Sequence, residues 1–373
     1  METAALPTGP HLADHRTPFV FDEWYVAALS PEIGHALMAR TLLGRSILLY
    51  RTSGGDVVAL RNRCPHRSFP LDRGIRDGDD VVCGYHGLKF APTGQCVAVP
   101  SQSSVPDALR TRAYPVVERP PFVWIWMGDP ARADAAAIPP HPWLSDPDYA
   151  AYDGYLHCRS NYVRLHENVL DLTHFPFVHG AATGGLDYIS VPAEIRATGD
   201  CVSITRRLEG QEVNAAYGML IGNGGHRVNR TSESHFVSPA FHIAHATIED
   251  LDGGVDGRTL FHVKIIHGFT PETAHSSHYF FANARDMRID DAELTRLSRE
   301  RTRSTFLEDE AALEHVERSW IEEDSTDFAE WNVRGDRAGL HMRRIISRRA
   351  AAEAARLEDA AAPTGPLPRS APS

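Results

Sequence analysis

The 373-residue chain has almost no lysine: of its 38 basic residues only Lys89 and Lys264 are not arginine. It also has no excess of positive charge. The formal net charge of −11 argues against nucleic acid and an anionic membrane as partners. No apolar run approaches the length of a membrane span. The first residues, Met1-Glu2-Thr3-Ala4-Ala5-Leu6-Pro7, lack the basic and apolar regions of a signal peptide. Cysteine is scarce as well. Cys64, Cys83, Cys96, Cys158 and Cys201 are too few, and odd in number, for a disulfide framework. These absences leave a cytoplasmic protein, and a hydrophobic content of 42% suffices for one or two domains with a sizeable core.

Residues 1–20 read as an extended arm. Ser46–Tyr50 and Val57–Leu60 flank the turn signal Ser53-Gly54-Gly55-Asp56 and read as paired strands. Short strands and Gly/Pro turns continue to Val123–Met127, so 21–130 is expected to be an all-β domain. Residues 131–150, rich in Ala, Pro and Asp, suit a connection. From 151 to 358 the texture changes. Val202–Thr205, Phe261–His267 and His278–Ala282 read as strands of an antiparallel sheet. Asp290–Trp320 reads as one or two helices, and Gly339–Leu357 as another. Residues 359–373 form a low-complexity tail expected to be disordered. Cys96, Cys158 and Cys201 are expected to be small buried hydrophobes.

Two constellations carry chemistry. Cys64-Pro65-His66 and Cys83-Gly84-Tyr85-His86 each offer one thiolate and one imidazole. Such a set can hold a tetrahedral zinc. It can equally hold a [2Fe–2S] cluster in which two Cys ligate one iron and two His the other. Pro65, Pro70, Gly84 and Gly87 favour the second, because they make tight loops that bring backbone N–H groups near cluster sulfurs. About a hundred residues later comes Asn168-Val-Leu-Asp-Leu-Thr-His-Phe-Pro-Phe-Val-His179. Asn168, Asp171 and His174 are spaced to share one helix face. Pro176 disrupts a helix interior, so a kink or end there would return His179 toward His174. Two imidazoles and a distant carboxylate form a facial triad with open positions on a non-haem ferrous ion.

Together these stretches resemble the ligand loops and the N-x-x-D-x-x-H-x-x-x-x-H motif of the Rieske non-haem iron oxygenases. The resemblance runs from Trp24-Tyr25-Val26 to Phe306-Leu307-Glu308-Asp309. Within the family it is nearest the vanillate O-demethylase and dicamba monooxygenase branch, on His267-Gly-Phe-Thr-Pro-Glu-Thr and His278-Tyr-Phe-Phe. It implies an α+β protein: an N-terminal all-β Rieske domain, then an α/β catalytic domain whose antiparallel sheet is flanked by helices in a helix-grip-like fold. It implies that Cys64, Cys83, His66 and His86 bind the cluster and that His174, His179 and Asp309 bind Fe(2+). Asp309 has acidic neighbours, Glu308 and Glu310, to which the assignment could slip. Asp171 would bridge a cluster His of one subunit to an iron-ligating His of the next in a homotrimer. Asn168 is a candidate neighbour of the iron, and His267 a candidate substrate contact. Two departures stand out: relatives usually have Gly where this chain has Ser68, and Trp where it has Leu88.

The implied reaction uses O2 and electrons from NAD(P)H, delivered by a separate ferredoxin or flavin reductase, to demethylate or hydroxylate an aromatic or heterocyclic small molecule. A ring cis-dihydroxylating dioxygenase and a Rieske electron carrier without catalytic iron remain as alternatives, with the zinc module last.

Overall fold

The computed structural model describes residues 6–7, 12–180, 187–323, 328 and 330–361. Its N-terminal part consists of small antiparallel sheets. Met38–Leu42, Arg45–Arg51 and Val57–Arg61 form one. Trp24–Leu29, Phe122–Trp126 and Val116–Arg119 form a second. Ile75–Asp77, Asp80–Val82, Lys89–Phe90 and Cys96–Ala98 form a third. The unbroken apolar runs follow from burial on both faces. Ile47 and Leu49 enter one core while Leu48 and Tyr50 enter another, beneath the Cys/His loops.

The C-terminal part is a seven-stranded antiparallel sheet. In spatial order its strands are Ala150–Cys158, Ser276–Arg285, Leu260–Thr273, Phe241–Asp250, Arg227–Ser238, Cys201–Glu212 and Glu194–Thr198. Trp24, Phe122 and Trp124 pack with Phe241, Ile266 and Phe280 in one core, which fastens the N-terminal sheets to this one. Thr270 Oγ1 donates to the Val26 carbonyl at 2.7 Å across the same junction. Residues 131–150 form three short 3-10 turns, and Trp24 Nε1 ties them down by donating to the Asp134 carbonyl at 2.8 Å.

Helices Tyr162–Leu170, Ala292–Glu322 and Arg337–Ala361 pack on the sheet. Asn161 caps the first by accepting from Val163 N, and Asp291 caps the second by accepting from Leu294 N. The charged stretch after Asp290 is therefore one 31-residue helix. No described helix is long and apolar enough to cross a membrane.

Three expectations need correction or qualification. The helix carrying Asn168 stops at Leu170, well before Pro176. Asp171 is extended and caps a new turn, Leu172–His174, by accepting from Thr173 N at 2.9 Å. Pro176 sits in the first turn of the next short helix, Phe175–Val178, where a missing N–H costs nothing. Cys201 is exposed, because it opens a strand at the Thr198–Cys201 hairpin on the sheet edge. Most of residues 1–11 of the expected arm and the tail beyond 361 lie outside the described residues.

Candidate active site

The broken helix organises the site. Because Asp171 leaves the helical conformation, its carbonyl turns toward the next residues and accepts a very short hydrogen bond from His174 Nδ1. The Phe175–Val178 turn then brings His179 back, with the two imidazole centroids 5.3 Å apart. His179 Nδ1 donates to Glu308 Oε2 at 2.8 Å. Both Nδ1 atoms are thus committed as donors outward, and both Nε2 atoms point inward as bare lone pairs. Asp309 faces them from the long helix, its Oδ1 3.2 Å from each Nε2. Neither Nε2 has a hydrogen-bond partner, although both are buried.

Three lone-pair donors that converge within 4.8 Å are the arrangement a bound cation resolves. Burial pushes the Asp309 carboxyl up, and His174 and His179 pull it down, to about 2, only where their Nε2 atoms carry protons toward it; a bound cation takes that role over. Asn168 Nδ2 donates to the same Oδ1 at 3.1 Å. Asp309, not Glu308 or Glu310, is therefore the carboxylate of this set.

Beneath the three donors lies a cavity of about 110 Å³. Its floor is hollow because the inward positions of two central strands carry Ser232, Ser234, Ala244 and Ala246, which pair side by side. Phe175, Tyr217 and Phe306 form apolar walls. His267 closes one end. Its Nδ1 lies 2.6 Å from the hydroxyl of Tyr279, which is buried and has no other acceptor for its hydrogen among the described residues, so the hydroxyl donates to Nδ1. His267 is then the tautomer whose Nε2–H is the free donor. Burial lowers its pKa to about 3, so it stays neutral.

The two Cys/His loops share one backbone pattern. Cys64 N donates to Phe69 O at 2.9 Å and Ser68 N to Cys64 O at 2.8 Å. Cys83 N donates to Leu88 O at 2.8 Å and Gly87 N to Cys83 O at 3.0 Å. Ser68 and Gly87 occupy equivalent left-handed positions, with φ of 60° and 73°. Both cysteines are buried, while His66 and His86 are exposed at the tip with ring centroids 4.6 Å apart. Gly84 is required, since a Cβ there would meet the Arg73 carbonyl at 2.7 Å. Burial raises the Cys64 thiol, with Cys83 adding to the effect, so deprotonation falls to a bound metal. Two buried sulfurs below two surface imidazoles fit the asymmetric cluster inferred from the motif.

Residues 23–115 match the Rieske [2Fe-2S] domain, and residues 158–352 match the vanillate O-demethylase oxygenase C-terminal domain, more than half of the chain. The chain belongs to the Rieske non-haem iron oxygenases. It is 38% identical to the iron-sulfur subunit of the toluene-4-sulfonate monooxygenase system of Comamonas testosteroni, over 80% of this chain and 88% of that one. It is 32% identical to the oxygenase component of dicamba O-demethylase from Stenotrophomonas maltophilia, over 90% and 99%. The crystal structure of dicamba monooxygenase bound to 3,6-dichlorosalicylic acid superposes with a TM-score of 0.85 at 31% identity, covering 91% of this chain and 99% of that one.

As a member of this family the protein is a monooxygenase with a Rieske cluster and a mononuclear iron, and it works on a small molecule with a separate electron-donor protein. The electron-carrier and zinc readings are set aside. The structure brings His174, His179, Asp309 and Asn168 together and puts His267 on the same cavity. It places Asp171 in a different opening, a groove of about 530 Å³ that also contains His174. The sequence reading named Glu308 only as an alternative to Asp309 and missed its bond to His179; it also missed Tyr279 and the four small floor residues. That role of Glu308 had a signal, since a second acid beside a candidate metal-binding one can reach the outer nitrogen of a candidate ligating imidazole.

Proposed function

We propose that this oxygenase acts on a methyl-bearing aromatic or heterocyclic ring, releasing an O- or N-methyl group as formaldehyde or leaving a hydroxymethyl group. The observation that carries this is the small, aromatic-walled cavity directly below the converged His174, His179 and Asp309. Apolar cavities of about 150 Å³ hold a benzene ring, and this one opens toward further space between the same walls. The relatives' names add support, among them O-demethylases, an N-alkylformylase and a toluene-4-sulfonate monooxygenase.

In this reading residues 21–130 form the electron-accepting domain, 131–150 the connection and 151–358 the catalytic domain. Cys64, Cys83, His66 and His86 hold the cluster, and His174, His179 and Asp309 hold the iron. Together these groups supply electrons one at a time and activate O2. Asn168 steadies the Asp309 oxygen it touches. His267, oriented by Tyr279, donates its Nε2–H to an oxygen or nitrogen of the substrate and sets which carbon lies nearest the iron site. Phe175 and Phe306 keep water from that carbon. For a methyl ether the balance is R–O–CH3 plus O2, two electrons and two protons, giving R–OH, formaldehyde and water.

A head-to-tail ring of subunits, a trimer by the family resemblance, completes the proposal. Asp171 lies in the open groove with Glu167, Glu330 and Asp336, which outnumber the groove's Arg164 and Arg343, beside the exposed Trp331 and Val333. The cluster tip presents the complementary surface: exposed Arg67 and Arg73, with Tyr85 and Ile75. A neighbour's tip seated there would put His66 or His86 within reach of Asp171.

The test uses holoprotein, a surrogate reductase, NADH and labelled O2 with a panel of methoxy- and N-methyl-arenes. Formaldehyde with a demethylated product, or one labelled atom in a hydroxymethyl product, is expected. Two labelled atoms on ring carbons would move the protein to the dihydroxylating dioxygenases.

A further inference from the structure

The two Cys/His loops are alike in backbone and unlike in one side chain. Phe69 and Leu88 hold equivalent places, since Phe69 O accepts from Cys64 N and Leu88 O accepts from Cys83 N. Leu88 points into the core and is 4% exposed. Phe69 packs at the edge of that core, partly buried, and its ring reaches across to the other loop. There it meets Tyr85, with ring centroids 5.8 Å apart and planes inclined by 36°. It also lies over Gly84, where a Cβ would come within 3.2 Å of Phe69 Cε1. Gly84 therefore makes room for the Phe69 ring as well as for the Arg73 carbonyl.

Tyr85 passes this contact on. Its ring centroid is 3.8 Å from that of His86, with the planes at 43°. His86 in turn meets His66 of the first loop at 4.6 Å and 69°. Phe69, Tyr85, His86 and His66 thus form a run of rings that crosses between the loops twice. Tyr85 and His66 flank the His86 imidazole, and the rest of its edge stays open to solvent. The Tyr85 side chain is itself 60% exposed on its outer side. A side chain that open has several staggered rotamers available, and ring packing against Phe69 selects one of them.

We infer that Phe69 and Tyr85 are positioning residues for the cluster: Phe69 pins Tyr85, and Tyr85 fixes the plane of the His86 imidazole and keeps water off the face it covers. This rests on the assignment of Cys64, Cys83, His66 and His86 to the cluster. Two effects are expected from such a cover. A ligating imidazole held in one plane gives a single electronic environment. Water beside a cluster favours its more highly charged state. With two thiolates and two neutral imidazoles the oxidised cluster is neutral, so the reduced one is the charged state. Loss of the cover should therefore raise the reduction potential.

The experiment compares wild type, Tyr85→Ala, Tyr85→Phe and Phe69→Ala as holoproteins. The readings are a redox titration of the cluster's visible absorption and the electron paramagnetic resonance of the dithionite-reduced cluster, neither of which needs substrate or reductase. Tyr85→Phe is expected to match wild type, because the ring and not the hydroxyl makes the contact. Tyr85→Ala should titrate at a higher potential and give a broadened or split signal. Phe69→Ala should move both readings the same way by less. A purely structural role would lower cluster content and leave the potential and signal of the remaining clusters unmoved, which would overturn the inference. Tyr85→Phe behaving like Tyr85→Ala would overturn it too. So would a shift that appears only with a change of oligomer size, since that would assign Tyr85 to a subunit contact. Should Tyr85→Ala not retain its cluster, Phe69→Ala decides by the same two readings. A wild-type signal of the all-cysteine kind, or none, would instead count against the ligand assignment, and the inference would fall with it.

Discussion

Glu308→Ala isolates a part of the metal site that is not itself a ligand. In the native chain His179 Nδ1 donates to Glu308 Oε2 at 2.8 Å, which fixes the tautomer and leaves Nε2 bare toward Asp309. Removing such an outer partner of a metal-bound imidazole typically lowers metal affinity about 10–100-fold, or about 1.4–2.7 kcal/mol. The Glu308 side chain is 47% exposed, so water screens its charge and can replace part of the bond. The lower end, about tenfold, is the expected loss. Glu308→Gln keeps an acceptor and should lose less, about threefold or under. The assay is competition for the mononuclear iron with a chelator, counting iron per chain, while the cluster's visible absorption serves as an internal control. Wild-type iron affinity in Glu308→Ala, with the cluster intact, would refute the orienting role. No matching variant exists for His174, whose Nδ1 rests on the Asp171 backbone carbonyl and not on a side chain.

Asp171→Asn retains an acceptor for Thr173 N, so both metals should stay while turnover falls about 10–100-fold; a wild-type rate would remove the bridging role. Burial holds His166 and His267 at pKa about 3 and His242 well below its usual value. Their folded pKa values lie below the unfolded 6.5, so the unfolded state binds more protons as the medium becomes acid. Stability should be full above pH 6.5 and fall below it by about 1.4 kcal/mol per pH unit for each, about 4 for the three together. Urea titrations between pH 5 and 7.5 would check that slope, and a flat profile would contradict it. Ser68→Gly, which relieves a left-handed serine at φ 60°, should raise stability by about 1 kcal/mol in thermal unfolding with the cluster spectrum unchanged. Ala246→Leu fills the floor of the iron-site cavity and should weaken binding of any ring at least about tenfold without loss of iron, as read by calorimetry.

The candidate ligand set was legible because its chemistry is local. Cys64-x-His66 and Cys83-x-x-His86 announce themselves by residue type, and the loops around them need only turns. The spacing from Asn168 to His179 was legible for what it brings together, but not for how. Helical periodicity placed Asp171 and His174 on one continuous helix and gave the break to Pro176. In the structure Asp171 itself ends the helix, because its carboxylate caps the next turn and competes with helix continuation. Pro176 is tolerated two residues into a new helix. Asp309 could be separated from Glu308 and Glu310 only by three-dimensional register: one helical position moves a carboxylate from the inner nitrogens of the two imidazoles to the outer nitrogen of one.

The strands that floor the site were the least legible. In Arg227–Ser238 the inward positions include Val228, Arg230, Ser232, Ser234 and Phe236, and three of these five are polar or charged. A strand that covers a core shows itself by apolar residues at every second position. A strand that floors a cavity must carry small or hydrogen-bonding residues at those same positions, which erases the alternation. Ser234 shows the logic at one residue. Its hydroxyl donates to the Val169 carbonyl at 2.8 Å and contacts His242 Nε2 at 2.6 Å, so it is fully used, yet it is small enough to leave the cavity open. The adjacent strand repeats the pattern with Ala244 and Ala246; Ala246 touches both the cavity and the neighbouring core, and Ile248, one step further along the same face, is large and lies wholly in that core. The hollow is therefore written into the sequence as a run of residues too small or too polar to fill it, which in one dimension looks like the absence of a strand.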